Sequence, residues 1–102
     1  MIHVVAMITA KPGRRAEVLD AFRANVPAVR AEAGCLEYGA ALDLEGFGTF
    51  QAALGPDSFI AIEKWESAEA LRAHAAAPHM AAYIAKTKDA IASRAIHVLA
   101  PA

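Results

Sequence analysis

An α+β fold, with a largely antiparallel sheet carrying its helices on one face, is what the 102-residue sequence predicts. Two observations carry that prediction. Segments with apolar residues at every second position are interleaved with segments whose apolar residues recur every third or fourth position. Their order reads β-α-β-(β)-β-α-α-β, and helices separated by strand pairs fit a ferredoxin-like plan. A chain of this length makes one domain, 1–102, and it shows no linker and no internal repeat.

The elements follow in order. Ile2–Thr9 is β-branched and strand-like, with Ile2, Val4, Ala6 and Ile8 on one face and Val5 and Met7 on the other. Pro12-Gly13 closes it with a turn. Arg14 to about Ala33 reads as a helix: Val18, Phe22, Val26 and Val29 form its apolar stripe, Pro27 should kink it, and Gly34 stops it. Leu36, Tyr38, Ala40 and Leu42 then alternate with Glu37, Gly39, Ala41 and Asp43 as a second strand. Glu45–Gly48 is turn-like, Thr49–Leu54 is a candidate short strand, and Gly55-Pro56-Asp57 is another turn. Ser58–Glu66 is a strand with Phe59, Ala61, Glu63 and Trp65 on one face and Ile60 and Ile62 on the other. Ser67 suits the N-cap of a helix over Ala68 to about Ala76, which Pro78 ends. A further helix spans about His79 to Ala92, and Arg94–Leu99 is the last strand.

Composition narrows the function. Of the 58 apolar residues, 27 are alanine, leaving enough larger side chains for one core and one interface. A net charge of −1 excludes binding of nucleic acid through bulk positive charge. The single cysteine, Cys35, excludes a disulfide-stapled module. No apolar run approaches the ~20 residues of a membrane span, and no secretory leader is visible, so the expectation is a cytoplasmic protein. Helices on one face leave Val5, Met7, Ile60 and Ile62 on the other, which predicts a homodimer packed sheet against sheet.

No nucleotide loop, nucleophile elbow or paired-histidine zinc motif is present. His74 and His79 straddle Pro78 and lack carboxylates close in sequence, so no metal site is expected. The notable cluster is Glu63, Trp65, His74, His79 and Tyr83. A carboxylate on the apolar strand face needs a partner or a raised pKa. Mutual satisfaction of these groups in the core and a functional pocket both account for the cluster. Tyr38 reaches the same space, and Asn25 lies beside the stripe of the first helix.

Ile62-Glu63-Lys64-Trp65-Glu66-Ser67, then His74, then Pro78-His79-Met80, together resemble the antibiotic biosynthesis monooxygenase (ABM) domain family. Pro12-Gly13, Glu32-Ala33-Gly34-Cys35 and Val98-Leu99-Ala100-Pro101 fit as well, so the resemblance covers the whole chain. Thr49-Phe50-Gln51 followed by Pro56-Asp57-Ser58 is similar to the bacterial quinol monooxygenases of that family. The resemblance implies a dimeric ferredoxin-like α/β barrel with a pocket between sheet and helices. It also implies oxidation of a small aromatic quinol or phenol by O2 with no metal, flavin or haem cofactor. In such a pocket His74 or His79 is the candidate base. Phe59, Trp65 and Met80 are candidates to clamp the ring, and Asn25, Tyr38, Glu63 and Tyr83 to hold its oxygens. The first strand carries Ala6 and Met7 where the haem-degrading branch has asparagine, and Tyr83 falls near that branch's haem-ligating histidine. Asn25 is followed by Val26, not by the histidine of the isomerase branch. A non-catalytic dimeric protein that binds an apolar aromatic metabolite, and a family isomerase of small sugars, are the alternatives.

Overall fold

Alternation sets the first strand as expected. The computed structural model, which describes residues 1–102, buries Val4, Ala6, Ile8 and Ala10 of β1 (Ile2–Ala10) on one face and only half-buries Val5 and Met7. Gly13, at a φ of +77°, turns the chain into α1 (Arg15–Arg30). The expected stripe is the one that packs: Val18, Phe22 and Val29 are buried, and Val26 lies against the core. Pro27 sits on the exposed side and the helix runs through it. The carbonyl that loses its partner belongs to Arg23, on the exposed side, where it is open to solvent.

The helix ends three residues before the expected Ala33. The Ala31 and Glu32 amides fold back onto Pro27 and Val29, and Gly34 then reverses the chain at a φ of +83°. This glycine is required twice over. The left-handed conformation disfavours other residues, and a Cβ here would stand 2.6 Å from Ala70 Cβ.

β2 (Cys35–Ala41) departs from the simple alternation. Cys35 pairs with Trp65 and Glu37 with Lys64, so Leu36 is the extra residue of a bulge and is 53% exposed. Tyr38, not Leu36, anchors this strand in the core. No strand forms over Thr49–Leu54. Both Asp43 carboxylate oxygens accept the Leu54 amide, and Oδ2 also accepts that of Gly55, so these donors are spent on a loop. Arg15 adds bonds to the Gly55 and Ser58 carbonyls.

β3 (Ser58–Trp65) keeps the expected faces, with Phe59, Ala61, Glu63 and Trp65 buried. Ser67 caps α2 (Ala68–Ala75), its hydroxyl accepting the Ala70 amide. Pro78 is the first residue of α3 (Pro78–Thr87), where its missing N–H costs nothing. The last helix is shorter than expected. A 3-10 turn at Lys88–Ala90 follows, and Ile91 belongs to β4 (Ile91–Leu99), where it pairs with Ala10 at a register shift.

The strands lie in the order β2-β3-β1-β4, all neighbours antiparallel. Each helical crossover joins strands of the same direction with one strand between them, β1 to β2 and β3 to β4. This is the ferredoxin-like α+β arrangement that the sequence predicts. The core lies between sheet and helices around Phe22, Phe59 and Trp65, with the Phe22 and Tyr38 rings stacked at 5.0 Å. On the far face, Val5 pairs with Ile62 and Met7 with Ile60, and Ile62 is exposed. No helix is long and apolar enough to cross a membrane.

Candidate active site

The β3 alternation that buries Phe59 and Trp65 also carries Glu63 inward. Trp65, two residues on and on the same face, donates from Nε1 to Glu63 Oε1 at 3.0 Å. Burial pushes the Glu63 carboxyl up from its ordinary value, against the opposing pull of the Trp65 hydrogen bond and of His74. His74, buried on α2, stands with Nε2 3.9 Å from Glu63 Oε1. Its ring lies between two aromatic neighbours, with centroids 4.6 Å from Trp65 and 5.6 Å from Tyr38.

The other side of His74 meets a residue that the sequence does not single out as a site. Glu32, in the turn after α1, accepts from His74 Nδ1 at 2.8 Å and from His79 Nε2 at 3.0 Å, both on the one oxygen Oε2. These partners are 42 and 47 residues away in the chain. The early end of α1 and the Gly34 reversal aim the carboxylate at α2 and α3. The only signal in the sequence is a carboxylate two residues before a helix-stopping glycine, which is common and unspecific. The donor atoms of Glu32, His74 and His79 lie within 4.8 Å of one another, close enough to share a metal ion. In this geometry two hydrogen bonds occupy that space, and an ion would displace both protons.

A cleft of about 210 Å³ opens between α1 and α3, lined by Ala21, Ala24, Asn25, His79, Ala82, Tyr83 and Lys86. His79, about a third exposed, links this cleft to the buried cluster. Tyr83 lines the cleft, and its hydroxyl is buried with no hydrogen-bond partner. A buried polar group left unpaired calls for a ligand or an ordered water. Asn25 donates from Nδ2 to Met80 Sδ at 3.3 Å, which ties the two helices at the cleft's edge. Burial holds the Tyr83 and Tyr38 phenols above their ordinary range, with Glu63 adding to the effect at Tyr38. Both therefore stay protonated at neutral pH and act as donors, not bases.

The sequence-derived site thus divides into three. Asn25, His79 and Tyr83 line the cleft. Met80 borders it through Asn25. Glu63, His74 and Tyr38 form a buried polar layer behind His79, where Glu63 accepts from Trp65, His74 is bonded to Glu32 and the Tyr38 ring packs on that of His74. Phe59 and Trp65 are fully buried in the core and line no part of the cleft. Their place on the inner face of the central strand β3 explains why: alternation puts them beneath the helices, not between them.

Known proteins agree with this architecture. The family profile "Antibiotic biosynthesis monooxygenase" matches residues 1–86. The Escherichia coli (strain K12) protein named "Probable quinol monooxygenase YgiN" is 40% identical over 103 aligned positions, covering 99% of this chain and 98% of that one. Among solved structures, PA3566 from Pseudomonas aeruginosa superposes with a TM-score of 0.82 at 28% identity, covering 99% of this chain and 93% of that chain. Rv0793 from Mycobacterium tuberculosis superposes with a TM-score of 0.81 at 25% identity, covering 99% and 94%.

Proposed function

The chain belongs to the antibiotic biosynthesis monooxygenase family, and from that premise we propose that it oxidises a quinol or a related electron-rich phenol with O2 in the α1–α3 cleft. The observation that carries this reading is the position of His79. It lines a cleft of ring-like size, its Nε2 is fixed by the Glu32 carboxylate, and the cleft is also lined by Tyr83, whose buried hydroxyl has no partner in the protein. A cavity of about 150 Å³ holds a benzene ring, so about 210 Å³ takes a substituted ring.

The chemistry suits those side chains. A quinol is apolar in its body and weakly acidic at its hydroxyls. His79 takes one hydroxyl proton, and the resulting anion is electron-rich enough to reduce O2 itself, so no metal or organic cofactor is required. Tyr83 donates to a substrate oxygen, and Asn25 and Met80 border the ring. In the monooxygenase outcome one atom of O2 enters the ring and the other leaves as water, giving a hydroxylated quinone. In the simpler outcome the quinol becomes a quinone and O2 becomes hydrogen peroxide.

The assembly belongs to the same reading. Rows of apolar residues cross the outer sheet face at Ala41, Ile60, Met7 and Ala95 and at Gly39, Ile62 and Val5. Burying them against a second copy gives the sheet-to-sheet homodimer. The placement of the substrate is tested by amide NMR during titration with menadione, a quinone product analogue. Shifts centred on Asn25, His79, Tyr83 and Lys86 are expected. Shifts centred on the outer sheet face, or none at millimolar menadione, would reject the cleft as the substrate site.

A further inference from the structure

We propose that Glu32 is the positioning residue of this site, and that it fixes both imidazole tautomers so that His79 Nδ1 is the base. The inference rests on the quinol reading for its catalytic part and on geometry alone for its tautomers. An ionised carboxylate accepts hydrogen bonds and cannot donate them. Glu32 Oε2 meets His74 Nδ1 at 2.8 Å and His79 Nε2 at 3.0 Å. Each of those nitrogens therefore carries the hydrogen. In the neutral rings the lone pairs are left on His74 Nε2 and His79 Nδ1.

The two free nitrogens face different surroundings. His74 Nε2 points toward Glu63 Oε1, 3.9 Å away in the core, beneath the Trp65 and Tyr38 rings. His74 does not line the cleft and is about 5% exposed. His79 lines the cleft, and its Nδ1 has no partner within the protein. Only that nitrogen is free to take a proton from a bound hydroxyl. The imidazolium that forms is stabilised by the carboxylate already bonded to its other nitrogen. His74 is not a second base here. Its N–H occupies the same Glu32 oxygen and holds the carboxylate in place, as an outer hydrogen bond orients a catalytic imidazole in other enzymes. The charged and titratable groups around the unit are Glu63, Cys35, Tyr38, Tyr83 and Lys86.

The test reads the imidazole nitrogens directly. Two-bond ¹H–¹⁵N spectra of the uniformly labelled protein, without substrate and with both rings neutral, report each tautomer. The wild type is expected to show His74 as the Nδ1–H form, the one less favoured by an unconstrained histidine side chain in water, and His79 as the Nε2–H form. Glu32→Gln keeps an acceptor and loses the charge. It should keep both tautomers while kcat for menadiol falls at least about tenfold with KM little changed, because the lost charge acts on the proton transfer. Glu32→Ala should release His74 to the Nε2–H form. Wild-type His74 in the Nε2–H form, or His74 unmoved in Glu32→Ala with the amide spectrum otherwise intact, would overturn the proposal. So would a Glu32→Gln enzyme with wild-type kcat. Tautomers as stated in a folded wild type that does not oxidise menadiol uphold the positioning and overturn the quinol reading instead.

Discussion

Replacing Gly34 with alanine should do more damage than any other single methyl added to a turn of this chain, and the structure divides the cost into two parts. The first is conformational. Gly34 has a φ of +83°, and a Cβ in the left-handed region costs about 1–2 kcal/mol. The second is steric. The new Cβ would lie 2.6 Å from Ala70 Cβ, an atom rooted in the backbone of α2 that no rotamer change can move away. Forcing an extra methyl into packed surroundings costs about 1–3 kcal/mol. Together they destabilise by about 2–5 kcal/mol. For a domain of this size that lowers Tm by about 10–25 °C. Gly13→Ala supplies the control. Gly13 has a φ of +77° and open space around its added Cβ, so it should lose only the conformational part, about 5–10 °C. Thermal unfolding followed by circular dichroism measures both. In the Gly34→Ala background, Ala70→Gly should recover the steric part, although on its own it weakens α2 by about 1 kcal/mol. Equal losses at Gly13 and Gly34, or no recovery in the double variant, would refute the close approach of the Gly34 turn to α2. That approach places Glu32 opposite His74 and His79, so the Gly34→Ala enzyme should also lose activity beyond its loss of folded protein.

Three further outcomes follow from buried groups and exposed faces. Glu63 has its folded pKa raised by burial, so its contribution to stability is full below about pH 4.5, the ordinary value, and is lost as pH rises through the raised one. Urea unfolding from pH 4 to 8 should therefore show Glu63→Gln gaining on the wild type as pH rises, and a pH-independent difference would contradict the shift. Tyr83→Phe removes a hydroxyl with no protein partner, so stability should change by less than about 0.5 kcal/mol while KM for menadiol rises about fivefold, the worth of one neutral hydrogen bond; a large loss of stability with unchanged KM would contradict its role in the cleft. Ile62→Glu puts a charge in the apolar rows of the outer sheet face, and sedimentation should show a dimer for the wild type and monomers for the variant; a monomeric wild type, or a variant as dimeric as the wild type, would contradict an interface on this face.

The layered part of the fold was legible because it rests on periodicity. The inner faces of β1 and β3 and the stripe Val18, Phe22 and Val29 bury the residues that alternation and helical spacing assign to them. What escaped depends on hydrogen bonds between distant residues. Leu36 sits in an apolar alternation, yet the bulge at Cys35 and Glu37 turns it outward, and only the pairing partner on β3 decides that. Thr49–Leu54 has strand-like composition, but Asp43 takes the amides of Leu54 and Gly55. Ile91 continues a helical spacing, yet a 3-10 turn releases it into β4 opposite Ala10. The site shows the same division. Glu63 and His74 were visible as polar residues on apolar faces. Glu32 was not, because its meaning lies in two histidines more than 40 residues away. Phe59 and Trp65 are both fully buried, and residue type alone does not distinguish a ring in the core from a ring at a cleft.

Oxygen consumption by the metal-stripped protein with menadiol tests the central claim most directly. Heat-killed protein sets the spontaneous rate, and a His74→Ala/His79→Ala double variant removes both imidazoles. The account predicts a saturable excess rate in the wild type that persists in chelator and disappears in the double variant. Saturable menadiol binding with no excess oxygen uptake would contradict it and identify the chain as a binding protein of this fold.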